Sequence, residues 1–508
     1  MTRLLPSRLL FAVLALTLHT AHASPAAAQS GIVAPATAHK EGVAALPADS
    51  VTEHVTTIAD SPLAYIATAG SLPLGGGKEE PTAKVFYVSY TRKETAENRP
   101  VTFVFNGGPG SASAFLHLGA LGPRVINFDE HGSGPELPVR LADNPDSWLE
   151  FTDLVFVDPV ATGFSRTTKE GDEAERAFFG VEKDADAMAE FARLYLTRAG
   201  RSLSPVFLAG ESYGGFRAVL LARRLLSAGV QVKGAVLISP ALEFALIRGD
   251  EYTLLPLALA LPSIAASNLE LHDGISGSLE MLGEVESFAR TGYILHLAAG
   301  VRTDEGIVDL LERYTGLERE TIERNHGRVS ASLFLREYRR RNDQSLSRYD
   351  GSVSIPVARP SENEHIDPIL DRAITALTPA MAHYVRQELG FRTDIEYKLL
   401  NREVSGKWDY GTTPSRQGYA DALGELQQVR TLNPGLKILI THGYTDLVTP
   451  YGVSQFLIDQ LRPIQGAAPI ALKVYRGGHM MYLRSASRHQ LHDDVRSLYN
   501  AVAAVTYD

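Results

Sequence analysis

Val206-Phe207-Leu208-Ala209-Gly210-Glu211-Ser212-Tyr213-Gly214-Gly215 is the stretch that decides the fold. Four apolar residues of strand character run into a serine flanked by glycines, and Phe216, Val219, Leu220 and Leu225 then recur near helical spacing. The segment reads as a strand, a sharp turn and a helix. In such a turn the serine takes a strained backbone conformation, and Gly210 and Gly214 omit the side chains that would collide there. The hydroxyl is thereby held out beyond the sheet edge. In a chain with 43 glycines such a short pattern also arises by chance, but the flanking strand and helix weigh against that.

Other short β-branched or aromatic runs lie at Val101–Phe105, 154–157 and 235–238, and the pattern continues at 437–440 and 470–474. Near-continuous apolar strands separated by helical stretches indicate a parallel sheet covered on both faces. Residues 63–68 and 84–91, on either side of Gly75-Gly76-Gly77, suggest an antiparallel pair at a sheet edge. From about 241 to 405 helix-like stretches dominate, at 278–290, 306–314, 330–341 and 367–389. The expected architecture is one α/β domain over 51–508 with a mostly parallel central sheet and a helical cap inserted at about 241–405. A separate helical domain is the other reading of that insertion.

The 508 residues can bury a large core, and 44% apolar content without low-complexity tracts indicates an ordered globular chain. A net charge of -10 argues against a nucleic-acid surface, which needs clustered Lys and Arg. Without cysteine there are no disulfides or thiolate metal sites, and no His-rich cluster or HExxH pattern suggests a metal. Arg3 and Arg8, the apolar run 9–18 and the small residues around Ala23 read as a secretory signal, residues 1–23, with cleavage as late as Ala28 also compatible. An uncleaved anchor is the alternative. Residues 24–50 then read as a flexible leader rich in Ala and Pro. The best later apolar run, 254–261, is short and carries Pro256, so no transmembrane helix is expected. An exported product without stable membrane insertion follows, with no oligomeric state indicated.

A serine hydroxyl is a weak nucleophile until a base takes its proton and a carboxylate orients that base. Asp446 follows the run 437–440 and His479 follows 470–474, in the order Ser, Asp, His of α/β-hydrolases. Taken singly, Asp446 could be a turn or cap residue and His479 a structural histidine; His442 is the nearest rival base. Asn106-Gly107-Gly108-Pro109-Gly110-Ser111, after the run Val101–Phe105, supplies backbone amides that can face an oxyanion together with the amide of Tyr213. A phosphate loop would want a Lys-Ser/Thr pair, and none is evident.

Five segments in order, 106–110, 144–148, 158–165, 210–215 and 478–480, resemble the signatures of the serine carboxypeptidases. The resemblance spans roughly 85–240 and 405–490 and is to an exported bacterial member, periplasmic or secreted. It implies an α/β-hydrolase exopeptidase that removes C-terminal residues of peptides, with Ser212 as nucleophile, His479 as general base and Asp446 as its orienter. It also implies oxyanion amides from Gly108 and Tyr213, and a site for the substrate's terminal carboxylate made by Asn106, the Gly107 amide and Glu211. Neither metal nor cofactor is implied; the substrate is a peptide or small acyl compound. Glu211 could otherwise be a helix-start acid, and residues 144–148 could shape the same region or simply pack. The sequence departs from the family at Val104, where a Trp is frequent, at Ser111 in place of a disulfide Cys, and at Met481-Tyr482, where a proline often follows the His-Met pair. These departures bear on the terminal-residue pocket rather than on the triad. An esterase or acyltransferase on the same triad and a catalytically silent binding module are the alternative functions.

Overall fold

The structure, a computed structural model, describes residues 46–505 except 59–60, 76–79, 94–97, 170, 249–251, 273–278, 302–303, 358–365 and 412–419. The signal peptide, nearly all of the leader, and Gly76 and Gly77 of the glycine run lie outside the described residues.

A ten-stranded sheet organises the chain. In sequence order its main strands are β1 (Ser50–Ile58), β2 (Ser61–Leu74), β3 (Ala83–Arg92), β4 (Val101–Phe105), β5 (Asp153–Val157), β6 (Val206–Glu211), β7 (Val232–Ile238), β8 (Lys437–Gly443) and β9 (Ile470–Tyr475). They lie side by side in the order β1-β2-β3-β5-β4-β6-β7-β8-β9, and the two-residue strand Arg166–Thr167 pairs with β3 off this path. From β1 to β5 the pairings are antiparallel, and from β5 to β9 they are parallel. The exchange of β4 and β5 in space makes β6 the neighbour of β4, with Phe105 opposite Gly210, so the loop after β4 meets the end of β6.

Alternation along the strands sorts side chains into two cores. In β3, Val85 and Tyr87 join one cluster with Phe103, Phe105 and Leu208, while Phe86, Val88 and Tyr90 join the other with Val104, Phe156 and Phe207. Helices cover both faces, as a parallel sheet requires for its buried backbone. On one face lie α1 (Val181–Arg198) and α2 (Tyr213–Ser227), on the other the C-terminal helix Ser485–Val505, whose Leu491, Val495 and Tyr499 pack there. β1 went unassigned from sequence because Val51 and Val55 are exposed and its pattern is mostly polar.

Between β7 and β8 the chain leaves the sheet, and this stretch has two parts. Helices Leu254–His272, Leu279–Phe288, Glu305–Thr315 and Ala331–Asn342 make a core of their own around Leu261, Ile264, Val285, Tyr293, Leu311 and Phe334. Helix Pro368–His383 with Phe391, Tyr397 and Leu399 instead joins the core of the sheet, because those aromatics bury against Phe86 and Phe164. Sheet and insertion fall within one compact unit, Val43–Asp508.

The run read as too short to span a membrane is corrected by helix Leu254–His272: its 19 residues are long and apolar enough to do so, with 67% of the most apolar window buried in the protein. Pro256 does not stop it, since a proline in the first turn forfeits an N–H that has no intrahelical partner.

Candidate active site

Parallel register brings the carboxyl ends of four strands level. Glu211 in β6 lies opposite Ile238 in β7, Ile238 opposite Thr441 in β8, and His442 opposite Val474 in β9. The residues that follow these ends therefore converge.

Ser212 has φ 58° and ψ -123°, a conformation L-residues rarely take, between the end of β6 and the first turn of α2. Crowding enforces the glycines around it: a Cβ on Gly210 would meet the Gly214 carbonyl oxygen at 2.0 Å, and one on Gly214 would meet that of Phe105 at 2.5 Å. The Ser212 amide donates to the Ile238 carbonyl at 2.9 Å, which ties the elbow to β7. Its hydroxyl has no hydrogen-bond partner among the described residues.

Asp446 and His479 lie in the loops after β8 and β9, and both are buried. Nδ1 of His479 is 2.9 Å from Oδ2 of Asp446. That contact places the proton on Nδ1 and leaves Nε2 free to accept one. The other oxygen of Asp446 accepts from the amides of Val448 and Thr449, at 2.8 and 2.9 Å. Burial works against charge on Asp446, yet the neighbouring His479 and His442 hold its carboxyl well below the usual range. Burial likewise disfavours charged His479, and Asp446 outweighs it, so His479 titrates above its ordinary value. The rival base His442 is engaged elsewhere: its Nε2 pairs with Ser454 at 2.8 Å, its Nδ1 is 4.0 Å from Asp446, and burial holds its pKa down.

Around the elbow, a Cβ on Gly107 would lie 2.7 Å from the Tyr213 amide nitrogen and 2.9 Å from Cβ of Ser212, so only glycine allows this approach. Gly108, at φ +102°, follows it. The amides of Gly107, Gly108 and Tyr213 have no protein acceptor among the described residues.

Glu211 is the last residue of β6 rather than the start of a helix, and it is buried. Asn106 donates its side-chain Nδ2 to Glu211, and its side-chain Oδ1 accepts from the Leu116 amide at 3.0 Å. Burial pushes the Glu211 carboxyl up to about 7 against the pull of His479, Tyr482 and Asn106. In the motif 144–148, Asn144 binds the carbonyls of Ala120 and Gly122, while Asp146 pairs with Arg488 and His489 on the C-terminal helix. This motif holds elements together.

Residues 69–243 match the serine carboxypeptidases. This stretch of the chain is similar to that family. Ser212, Glu211 and the loop 106–108 lie inside the serine carboxypeptidase match, whereas Asp446 and His479 lie beyond it. Similar curated proteins include the pheromone-processing carboxypeptidases KEX1 of Phaeosphaeria nodorum, 27% identical over 29% of this chain and 21% of the relative, and of Coprinopsis cinerea, 30% identical over 32% and 26%. Serine carboxypeptidase-like 51 of Arabidopsis thaliana is 31% identical over 32% of this chain and 34% of its own. The matched stretch thus spans about a third or less of these relatives. A prohormone-processing carboxypeptidase from Saccharomyces cerevisiae has a crystal structure covering 86% of this chain and 91% of its own, with a TM-score of 0.56 at 18% identity, a likeness of fold.

Three contacts of this site were not read from the sequence. Thr449 places its hydroxyl 2.8 Å from Oδ2 of Asp446 and 3.1 Å from His479 Nδ1. Tyr349, from the insertion, stands edge-on to the His479 ring at 5.3 Å, and its carbonyl accepts the His479 amide. Tyr482 donates its hydroxyl to Glu211. Only Tyr482 left a trace in the sequence, as a departure from the family's proline.

Proposed function

We propose that the protein is a serine carboxypeptidase that hydrolyses the last peptide bond of peptides through an acyl-enzyme on Ser212. One observation carries the reading: beside the elbow lies a buried carboxyl, Glu211, held up to about 7 and oriented by Asn106. A carboxylic acid binds a carboxylate when the two share a proton. With the Gly107 amide, this pair suits a substrate that ends in a free carboxylate.

In the proposed reaction His479 accepts the Ser212 proton at Nε2 as Oγ attacks the terminal carbonyl carbon, and Asp446 steadies the imidazolium. The amides of Gly108 and Tyr213 stabilise the tetrahedral oxyanion. His479 then gives its proton to the departing amine, and water repeats the sequence on the acyl-enzyme. No step calls for a metal or cofactor. The N-terminal pattern supports export, to the periplasm or the medium.

The test is incubation of the protein with a peptide mixture and mass analysis of the products, repeated with Ser212→Ala. Loss of single C-terminal residues with the intact enzyme alone is expected; internal cleavage, or none, overturns the reading. Because Glu211 must carry the shared proton, KM for free-carboxyl peptides rises as pH passes about 7, while KM for C-terminally esterified peptides does not.

A further inference from the structure

Tyr482 lies in the one-turn helix Met481–Leu483, three residues beyond His479. Its ring is fully buried and pressed on the turn His117–Leu121, where a Cβ on Gly119 would stand 3.2 Å from Cε2. From there its hydroxyl sits 3.0 Å from one oxygen of Glu211 and 2.9 Å from the other, centred on the edge of the carboxyl group. Asn106 occupies the remaining side.

We propose that Tyr482 is a positioning residue for the terminal-carboxylate site, and that its hydroxyl both aims Glu211 and sets the pH up to which that site accepts a free carboxylate. The inference rests on the reading of Glu211 given above. Buried as it is, Tyr482 does not reach a substrate and acts through Glu211.

The direction of its effect follows from what a phenol can donate. Burial and the nearby Glu211 charge raise the Tyr482 pKa well above the ordinary value, so it stays protonated wherever the enzyme works. A donated O–H favours the ionised carboxylate. Tyr482 therefore opposes the desolvation that keeps Glu211 protonated. The other groups facing Glu211 are His479 from the loop after β9, Asp446 from the loop after β8, Asn106 from the loop after β4 and Tyr349 from the insertion. None of these takes the place of the hydroxyl at the carboxyl edge. At this point the family often has proline, which offers no donor, so the device belongs to this chain's own sequence.

The experiment compares KM across pH 5–9 for Tyr482→Phe and the parent, with a free-carboxyl peptide and its C-terminal ester. A hydrogen bond to a charged group has a strength equivalent to one pKa unit or more. The alkaline rise of KM should therefore move up by about one pH unit in Tyr482→Phe, leaving KM about tenfold below that of the parent at the top of the range. The ester's KM should not move. Coincident profiles for the two enzymes overturn the proposal, as does a uniform rise of KM at every pH with both substrates, which marks a merely structural role. A parent profile that is itself flat for the free-carboxyl peptide overturns the Glu211 reading, and it is seen without any variant. Should Tyr482→Phe fail to fold, 3-fluorotyrosine incorporated in place of Tyr482 keeps the shape and donates more strongly. The rise should then move to lower pH, and no movement overturns the proposal.

Discussion

Glu211 carries a cost that its neighbours only partly offset. Its carboxyl titrates near 7 in the folded protein against an ordinary 4.5, with burial as the main cause. Folding therefore favours the protonated form, and the stability this contributes is complete below about pH 4.5 and lost as pH rises through about 7. Glu211→Gln keeps the shape and removes the titration. Its Tm relative to the parent should climb between pH 4.5 and 8 and level off beyond; a constant difference across that range would show that Glu211 does not titrate in this window. The residues of the site differ in how legible they were. Ser212, Asp446 and His479 each follow a run of strand-forming residues, so local pattern and chain order located them. Thr449, Tyr349 and Tyr482 contribute through hydrogen bonds and ring contacts that depend on how three loops meet, and no local pattern encodes that.

At the scale of elements, the loop after β4 is held by a pair that no motif announced. Arg217, one turn into α2, donates from one nitrogen to the Asn106 carbonyl at 2.6 Å and from another to Asp184 of α1 at 2.7 Å. Both side chains are buried, at 1% and 5% exposure. Asp184→Ala would leave the guanidinium buried without its counter-charge, at a cost of about 3–5 kcal/mol. Replacing both, Asp184→Ala with Arg217→Met, removes the unpaired charge and should recover much of the Tm. It should not recover KM for free-carboxyl peptides, since the Asn106 carbonyl then loses its anchor. Full recovery of both would show that the pair serves stability alone. The strands β4 to β9 were legible because two-sided burial demands continuous apolar runs. Less legible were β1, half exposed and mostly polar, and helix Leu254–His272, whose Pro256 reads as a breaker until its place in the first turn is known.

For the whole molecule the question is what keeps the insertion seated on the catalytic loops. Its segment 347–353 is stitched to both of them: the Tyr349 carbonyl takes the His479 amide, the Gly351 amide donates to the Thr445 carbonyl, and the Thr445 hydroxyl donates to Asp350 at 2.6 Å. Arg484, just past the turn that carries Tyr482, closes the arrangement. It reaches Asp350 at 3.0 Å and Glu270, on helix Leu254–His272, at 3.2 Å, with all three side chains less than 10% exposed. Pairs this deep behave unlike surface pairs, because removing one member strands the charge of the others in a poor solvent. Arg484→Ala leaves the buried Asp350 carboxylate without its counter-charge, while Glu270 keeps Arg476 at 2.6 Å, and should cost about 3–5 kcal/mol. A suitable contrast is Arg290→Ala, which breaks an insertion-to-core pair with Asp459 whose members are 33% and 48% exposed; such a pair contributes about 0–1 kcal/mol. The two variants are compared by thermal unfolding and by kcat on an esterified peptide, which does not depend on Glu211. Arg484→Ala should lower both Tm and kcat, since Tyr349 and Asp350 brace the loops of His479 and Asp446, whereas Arg290→Ala should change neither. If Arg484→Ala lowers Tm but keeps kcat, the insertion merely rests on the triad; if kcat falls with Tm, the insertion helps to hold His479 against Asp446.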